Sequence, residues 1–116
     1  LDIANDGGPV LAVGRQLRHM AALSGSMPRH AGRAADEMDP GLARSVLERD
    51  AELDAEFAAA LRLVMTYVLQ DHRFLRPTID TIFALKGLER IGDHATNIAE
   101  QVLYMMGQER QQADAA

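Results

Sequence analysis

The sequence predicts an all-α protein, an antiparallel up-down bundle of three long helices. Three observations support this fold class. Strong helix formers such as Ala, Leu, Met, Glu and Arg fill most positions of the 116-residue chain. Apolar residues recur at spacings of three and four along three segments. Proline and glycine separate these segments, and none of them alternates as a strand would.

The first predicted helix opens after Gly8, where Pro9 is tolerated because a first-turn residue needs no N–H donor. Its apolar positions are Val13, Leu17, Met20, Met27, Ala31, Ala34 and Met38. Pro28 lies inside this pattern, so we expect the helix to be kinked or split there. The segment ends before Asp39, which can cap the next helix, and Pro40, which can begin it.

The second predicted helix runs from about Pro40 to about Gln70, and the third begins near Pro77 and ends at Gly107. The apolar positions of the second are Val46, Leu53, Phe57, Ala60, Val64 and Val68. Those of the third are Leu88, Ile91, Ala95, Ile98, Val102 and Met105. Two helices of about 30 residues with a short loop between them must lie antiparallel, and the first segment supplies the third rod.

Composition restricts the function classes. One domain fits a mass of 12.7 kDa. The net charge of -5 argues against a nucleic-acid partner, because phosphate binding needs a clustered basic surface. No run approaches the roughly 20 apolar residues of a transmembrane helix, so we expect no membrane insertion. The absence of cysteine excludes disulfides and thiolate metal sites.

The expected domain organisation is a linker remnant over residues 1–8, the bundle over 9–107 and a flexible polar tail over 108–116. The chain begins at Leu1 rather than Met, which suggests a fragment of a longer protein.

Two pairs of acids lie four residues apart, each pair on a single helix face: Asp50 with Asp54, and Glu89 with Asp93. At this spacing two carboxylates can share a cation. Measured from the turn near Phe74, the two pairs fall at similar heights on the antiparallel helices. The third helix's pair lies opposite its apolar positions, so we expect a surface site. The simpler alternative is that both pairs are solvated faces balanced by neighbouring arginines, Arg49 and Arg90.

Residues 88–100 read LERIGDHATNIAE and closely resemble the signature of the PhoU family. Two upstream segments resemble the second helix of the same family, ERDAELDAEF over 48–57 and LVMTYVLQD over 63–71. The matching region spans roughly residues 38–107. This resemblance implies the C-terminal three-helix repeat of a protein that contains two such bundles in tandem.

The resemblance also implies a function, a cytoplasmic and non-enzymatic regulator of phosphate uptake. Such a protein is an adaptor between the phosphate ABC transporter ATPase and a sensor histidine kinase of a two-component system, and it represses the phosphate-starvation response. Family motifs of the form E/D-x-x-x-D bind metal clusters and match the two acid pairs. The implied metal ligands are Asp50, Asp54, Glu89 and Asp93, with Asn97 and Glu100 as auxiliary ligands. Hard oxygen donors favour iron, magnesium, manganese or calcium.

Two other function classes compete with this interpretation. The same bundle can be the cytosolic regulatory domain of a sodium-coupled phosphate transporter, which the full-length gene would reveal through many hydrophobic spans. A di-metal carboxylate enzyme would need inward-facing Glu-x-x-His motifs, and the chain has none. A homodimer remains open.

Overall fold

The computed structural model describes residues 8–115, apart from the side chains of 108–110, 112, 113 and 115. These residues form four α-helices joined by short connections and contain no strand. The helices are α1 (Gly8–Ala12), α2 (Gly14–Glu37), α3 (Pro40–Gln70) and α4 (Leu75–Ala115), with a 3₁₀ turn over His72–Phe74. Each of α2, α3 and α4 packs against the other two, which confirms the antiparallel bundle. The rod measures 71 × 20 × 15 Å.

The first rod is interrupted at Val13, where the backbone leaves the helical region between α1 and α2. Of the two expectations at Pro28, a split is wrong, because α2 continues through it to Glu37, and a kink stays a prediction. Pro28 is exposed, while Met27 and Ala31 on either side of it are fully buried. Packing of these neighbours therefore holds the helix together despite the missing N–H donor.

The corner between α2 and α3 is capped from both sides. Met38 adopts a left-handed conformation with φ of 50°, and the Asp39 N–H donates to the Ala34 carbonyl at 3.0 Å. Asp39 Oδ1 accepts from the Gly41 N–H at 2.9 Å and the Leu42 N–H at 3.3 Å. The predicted boundary at Asp39 and Pro40 is confirmed.

The turn between α3 and α4 is fixed by Asp71, whose extended backbone ends α3. Its carboxylate accepts from the Arg73 N–H at 2.9 Å and pairs with the Arg73 guanidinium at 2.7 Å. The Tyr67 and Phe74 rings meet edge to face with centroids 5.1 Å apart. The helical pattern breaks here as predicted, although α4 begins at Leu75, two residues before Pro77.

The core confirms the predicted face of α3 and corrects that of α4. Leu53, Val64 and Val102 are buried as expected, and Phe57 is half-buried. Ile91 and Ile98 were expected in the core, but they are 41% and 42% exposed. The buried face of α4 is instead formed largely by small residues: Thr78, Thr81, Leu85, Gly92, Ala95, Ala99 and Val102.

Small residues on α4 leave space that larger side chains from the other helices occupy. Met20, Met27 and Leu53 are among the largest fully buried side chains, and they come from α2 and α3. The spacing pattern of α4 therefore included two residues of the true buried face, Ala95 and Val102, but its centre was rotated toward the exposed Ile91 and Ile98.

The last helix continues beyond its predicted end. Gly107 does not end α4, which extends to Ala115. An isolated glycine is tolerated in a helix that good helix formers flank on both sides. Residues 1–7 of the predicted linker lie outside the described residues. Across the described helices, none combines the length and apolar composition needed to cross a bilayer.

Candidate functional site

The acids predicted from the sequence lie on neighbouring faces of α3 and α4. We call this surface the α3–α4 acidic face and define it by six residues: Asp50, Asp54, Glu89, Asp93, Asn97 and Glu100. Five of them are carboxylates close enough to influence one another's ionisation across the helix pair. Asn97 is exposed on α4, one turn after Asp93.

Glu89 is largely enclosed, with its side chain only 14% exposed. Burial and the adjacent Asp54 carboxylate raise the pKa of Glu89 to about 7, and Asp93 adds to the effect. The Lys86 ammonium opposes it. The expectation that Glu89 faces solvent is therefore wrong, because the true rotation of α4 turns it toward α3.

Asp50 occupies the corresponding position on α3 and is half-buried. Burial raises the pKa of Asp50, and the nearby charges of Asp54, Asp93 and Glu100 raise it further, whereas the adjacent Thr96 hydroxyl lowers it. Asp50 Oδ1 and Thr96 Oγ1 are both buried at this point, and among the described residues neither atom makes a hydrogen bond of good geometry, although the Thr96 hydroxyl lies beside the Asp50 carboxyl. A polar atom buried without a partner is costly, so this part of the face is not optimised for stability.

The Lys86 ammonium lies near the centre of the face. Lys86 Nζ lies 3.9 Å from Glu89 Oε1 and 5.1 Å from the centroid of the Phe57 ring. No ion pair links Arg49 or Arg90 to these acids in the described part of the chain. These arginines therefore do not balance the acids through direct ion pairs, while Asp54, Asp93 and Glu100 are exposed, as the solvated-face alternative expects.

Two contributors to the face, Lys86 and Thr96, were not identified from the sequence. Lys86 and Thr96 lie three residues away from Glu89 and Asp93, a spacing that places them on the same helix side. Gly92 lies between the two acids of α4 and is buried. The spacing of Lys86 and Thr96 was a usable signal. A lone glycine inside a helix suggests a close helix approach, and Gly92 makes one, whereas Gly87 does not.

The donor chemistry of the face suits a hard cation, since it offers carboxylate, hydroxyl and amide oxygens. The buried oxygens Asp50 Oδ1 and Thr96 Oγ1 lie close together on this face and agree with this chemistry. Within residues 8–115, however, no three His, Asp or Glu side chains converge closely enough to hold a metal ion in their present rotamers. Cation binding would therefore require side chains on the face to rotate toward one another.

Comparison with known proteins places the chain among relatives of one kind. A protein named phosphate-specific transport system accessory protein PhoU homolog from Xylella fastidiosa is 41% identical over 88% of this chain and 42% of its own length. Proteins of the same name from Pseudomonas aeruginosa and Rhizobium meliloti are 41% and 40% identical over 78% of this chain and 38% of theirs. No solved structure matches significantly.

This chain spans about two fifths of the length of these relatives. The family model described as PhoU domain matches residues 17–102. That region begins in α2 and includes all of α3 and most of α4, with the whole α3–α4 acidic face. This chain belongs to the PhoU family.

Proposed function

We propose that this chain is part of a cytoplasmic regulator of inorganic phosphate uptake. In this role it acts as an adaptor between the ATPase of a phosphate ABC transporter and a sensor histidine kinase, and it represses the phosphate-starvation response. The observation that supports the proposal is the PhoU domain match over residues 17–102, together with relatives named as accessory proteins of a phosphate-specific transport system. Those names favour it over a domain of a sodium-coupled transporter.

The proposal assigns binding rather than catalysis to the bundle. A shallow cleft at the turn end is lined by Gly8, Leu11, Ala12, Tyr67 and Phe74, which include no nucleophile or base that operates near neutral pH. The carboxylates lie instead along α3 and α4 away from this cleft, on a face that suits contact with a cation or a partner better than enclosure of a substrate.

A second component of the proposal is that the α3–α4 acidic face binds a hard metal ion. Asp50 and Asp54 from α3 would hold the ion together with Glu89 and Asp93 from α4. Asn97 and Glu100 would be auxiliary ligands, and iron, magnesium, manganese and calcium are the candidate ions. Bound metal would supply the positive charge that Lys86 alone does not provide, and it would link the two helices.

The adaptor function is tested with the intact protein rather than with the bundle alone. We expect the affinity-tagged intact protein to co-purify with the transporter ATPase from phosphate-replete cells, and its deletion to activate a phosphate-regulated reporter. Complementation with the wild-type gene should restore repression. Metal-dependent hydrolysis of phosphate esters that disappears in Asp93→Ala, without any association with the transporter or kinase, would contradict the adaptor function.

A further inference from the structure

Gly92 marks a close approach between α4 and α3. A Cβ atom at this position would lie 2.5 Å from Leu53 Cδ2, 3.4 Å from Asp50 Oδ1 and 3.5 Å from Met27 Cε. Leu53 and Met27 are both fully buried, so neither can move aside into solvent. The backbone of Gly92 has no positive φ. The position therefore depends on the absence of a side chain and not on glycine's conformational freedom.

Other positions on the bundle do not have this requirement. A Cβ at Gly87, also on α4, would meet nothing within 4 Å, and the same holds for Gly25 and Gly32 on α2. Ala95 and Ala99 continue the buried face of α4 beyond Gly92, and there the packing accommodates a methyl group. Contact between these helices therefore does not in general require glycine.

The close approach coincides with the α3–α4 acidic face. Gly92 lies between Glu89 and Asp93 along α4 and directly against Asp50 on α3. Carboxylates repel one another, and a glycine inside a helix lowers its stability. Both unfavourable features fall at one point of the bundle, so stability alone does not account for the arrangement.

We propose that Gly92 is a positioning residue that sets the distance between the two acid pairs. Its missing side chain allows α4 to approach α3 until carboxylates from both helices can reach one cation. A side chain at this position would separate the helices or tilt α4. Each acid pair would then have to bind a cation without ligands from the other helix. This inference rests on the proposed cation binding and specifies how the fold brings the ligands together.

The test measures Mn²⁺ binding to the intact protein by electron paramagnetic resonance. Gly92→Ala should lower the Mn²⁺ affinity about 10- to 100-fold, the range seen when residues that orient ligands are changed. Gly87→Ala is the matched control, because it makes the same change on the same helix where the Cβ meets nothing. Its Mn²⁺ affinity should equal that of the wild type.

A rescue variant separates positioning from a general loss of stability. Leu53→Ala removes the methyl groups that the new Cβ would contact, so the Leu53→Ala, Gly92→Ala double variant should recover most of the Mn²⁺ affinity. It should do so although it melts at a lower temperature than the wild type, because a buried leucine has been truncated. A double variant that binds Mn²⁺ no better than Gly92→Ala would overturn the positioning role.

Failure of the proposed cation binding is a distinct outcome. If the wild type binds no Mn²⁺ at these acids, the proposed cation binding is wrong. The role of Gly92 is then decided by comparing crystal structures of the wild type and Gly92→Ala. A wider separation of α3 and α4 in the variant would support the inference. An unchanged separation would overturn it.

Discussion

The side chain of Glu89 is 14% exposed, with the Asp54 carboxylate beside it and the Lys86 ammonium 3.9 Å away. Its pKa is raised to about 7 from an ordinary value of 4.5, chiefly by burial and then by Asp54. A carboxyl with this pKa is close to half protonated at neutral pH. Between pH 4.5 and about 7, the folded protein therefore retains a proton on Glu89 that the unfolded chain has already released.

This linkage predicts that stability falls as pH rises toward neutrality. The contribution of Glu89 is fully present below pH 4.5 and is lost as pH increases through about 7, because its pKa is higher in the folded state. We expect the wild type to lose about 1 kcal/mol of unfolding free energy over this interval, after allowance for solvent screening. Chemical denaturation at a series of pH values measures the change.

Glu89→Gln should remove most of this pH dependence, and Asp50 should account for part of what remains, since its pKa is also raised. Glu48→Gln, at an exposed position of α3, is the control and should keep the wild-type slope. Equal slopes for all three proteins would mean that Glu89 ionises as freely as a carboxyl in water.

At the scale of helices, local chemistry predicts boundaries well. Asp39 and Pro40 begin α3 because a capping carboxylate and a first-turn proline act through their immediate neighbours. Pro28 and Gly107 were misjudged because their local cost is small beside the packing and helix propensity around them.

The rotation of α4 could not be predicted in the same way. Ile91 and Ile98 form a regular apolar pattern with Ala95, yet only Ala95 of these three is buried, together with Gly92 and Ala99. Which face is buried depends on the volume of side chains that α2 and α3 supply, and this information is distant in the sequence. The heights of the acid pairs follow from helix lengths alone, so their proximity could be predicted although the exposure of Glu89 could not.

Two truncations test this rotation. Leu53→Ala should lower the unfolding free energy by about 2–5 kcal/mol, because it removes a fully buried side chain from the interface with Gly92. Ile91→Ala should cost about 1 kcal/mol or less, since Ile91 is 41% exposed. Urea denaturation monitored by circular dichroism gives both values. Similar costs for the two variants would indicate that Ile91 belongs to the core and that the orientation of α4 described above is wrong.

At the scale of the whole molecule, the acidic face joins two of the three long helices. Among the described residues, Lys86 is the one cationic side chain in direct contact with the five carboxylates of α3 and α4. The repulsion acts between helices that must stay in contact for the bundle to persist. A cation held by both helices would therefore stabilise the folded state as a whole and not one helix alone.

The last prediction is that a hard divalent or trivalent cation raises the melting temperature of the wild type. A ligand that binds only the folded state stabilises it by about 2.7 kcal/mol at about 100 times its Kd. The Asp54→Ala, Asp93→Ala double variant should lose the response to Mn²⁺, because it removes one carboxylate from each helix. Without metal it should be at least as stable as the wild type, since repulsion across the face is reduced. The Asp36→Ala, Glu48→Ala double variant removes two exposed acids outside the face and should respond as the wild type does. Identical Mn²⁺ responses in all three proteins, measured by differential scanning calorimetry, would show that these carboxylates are only a solvated surface.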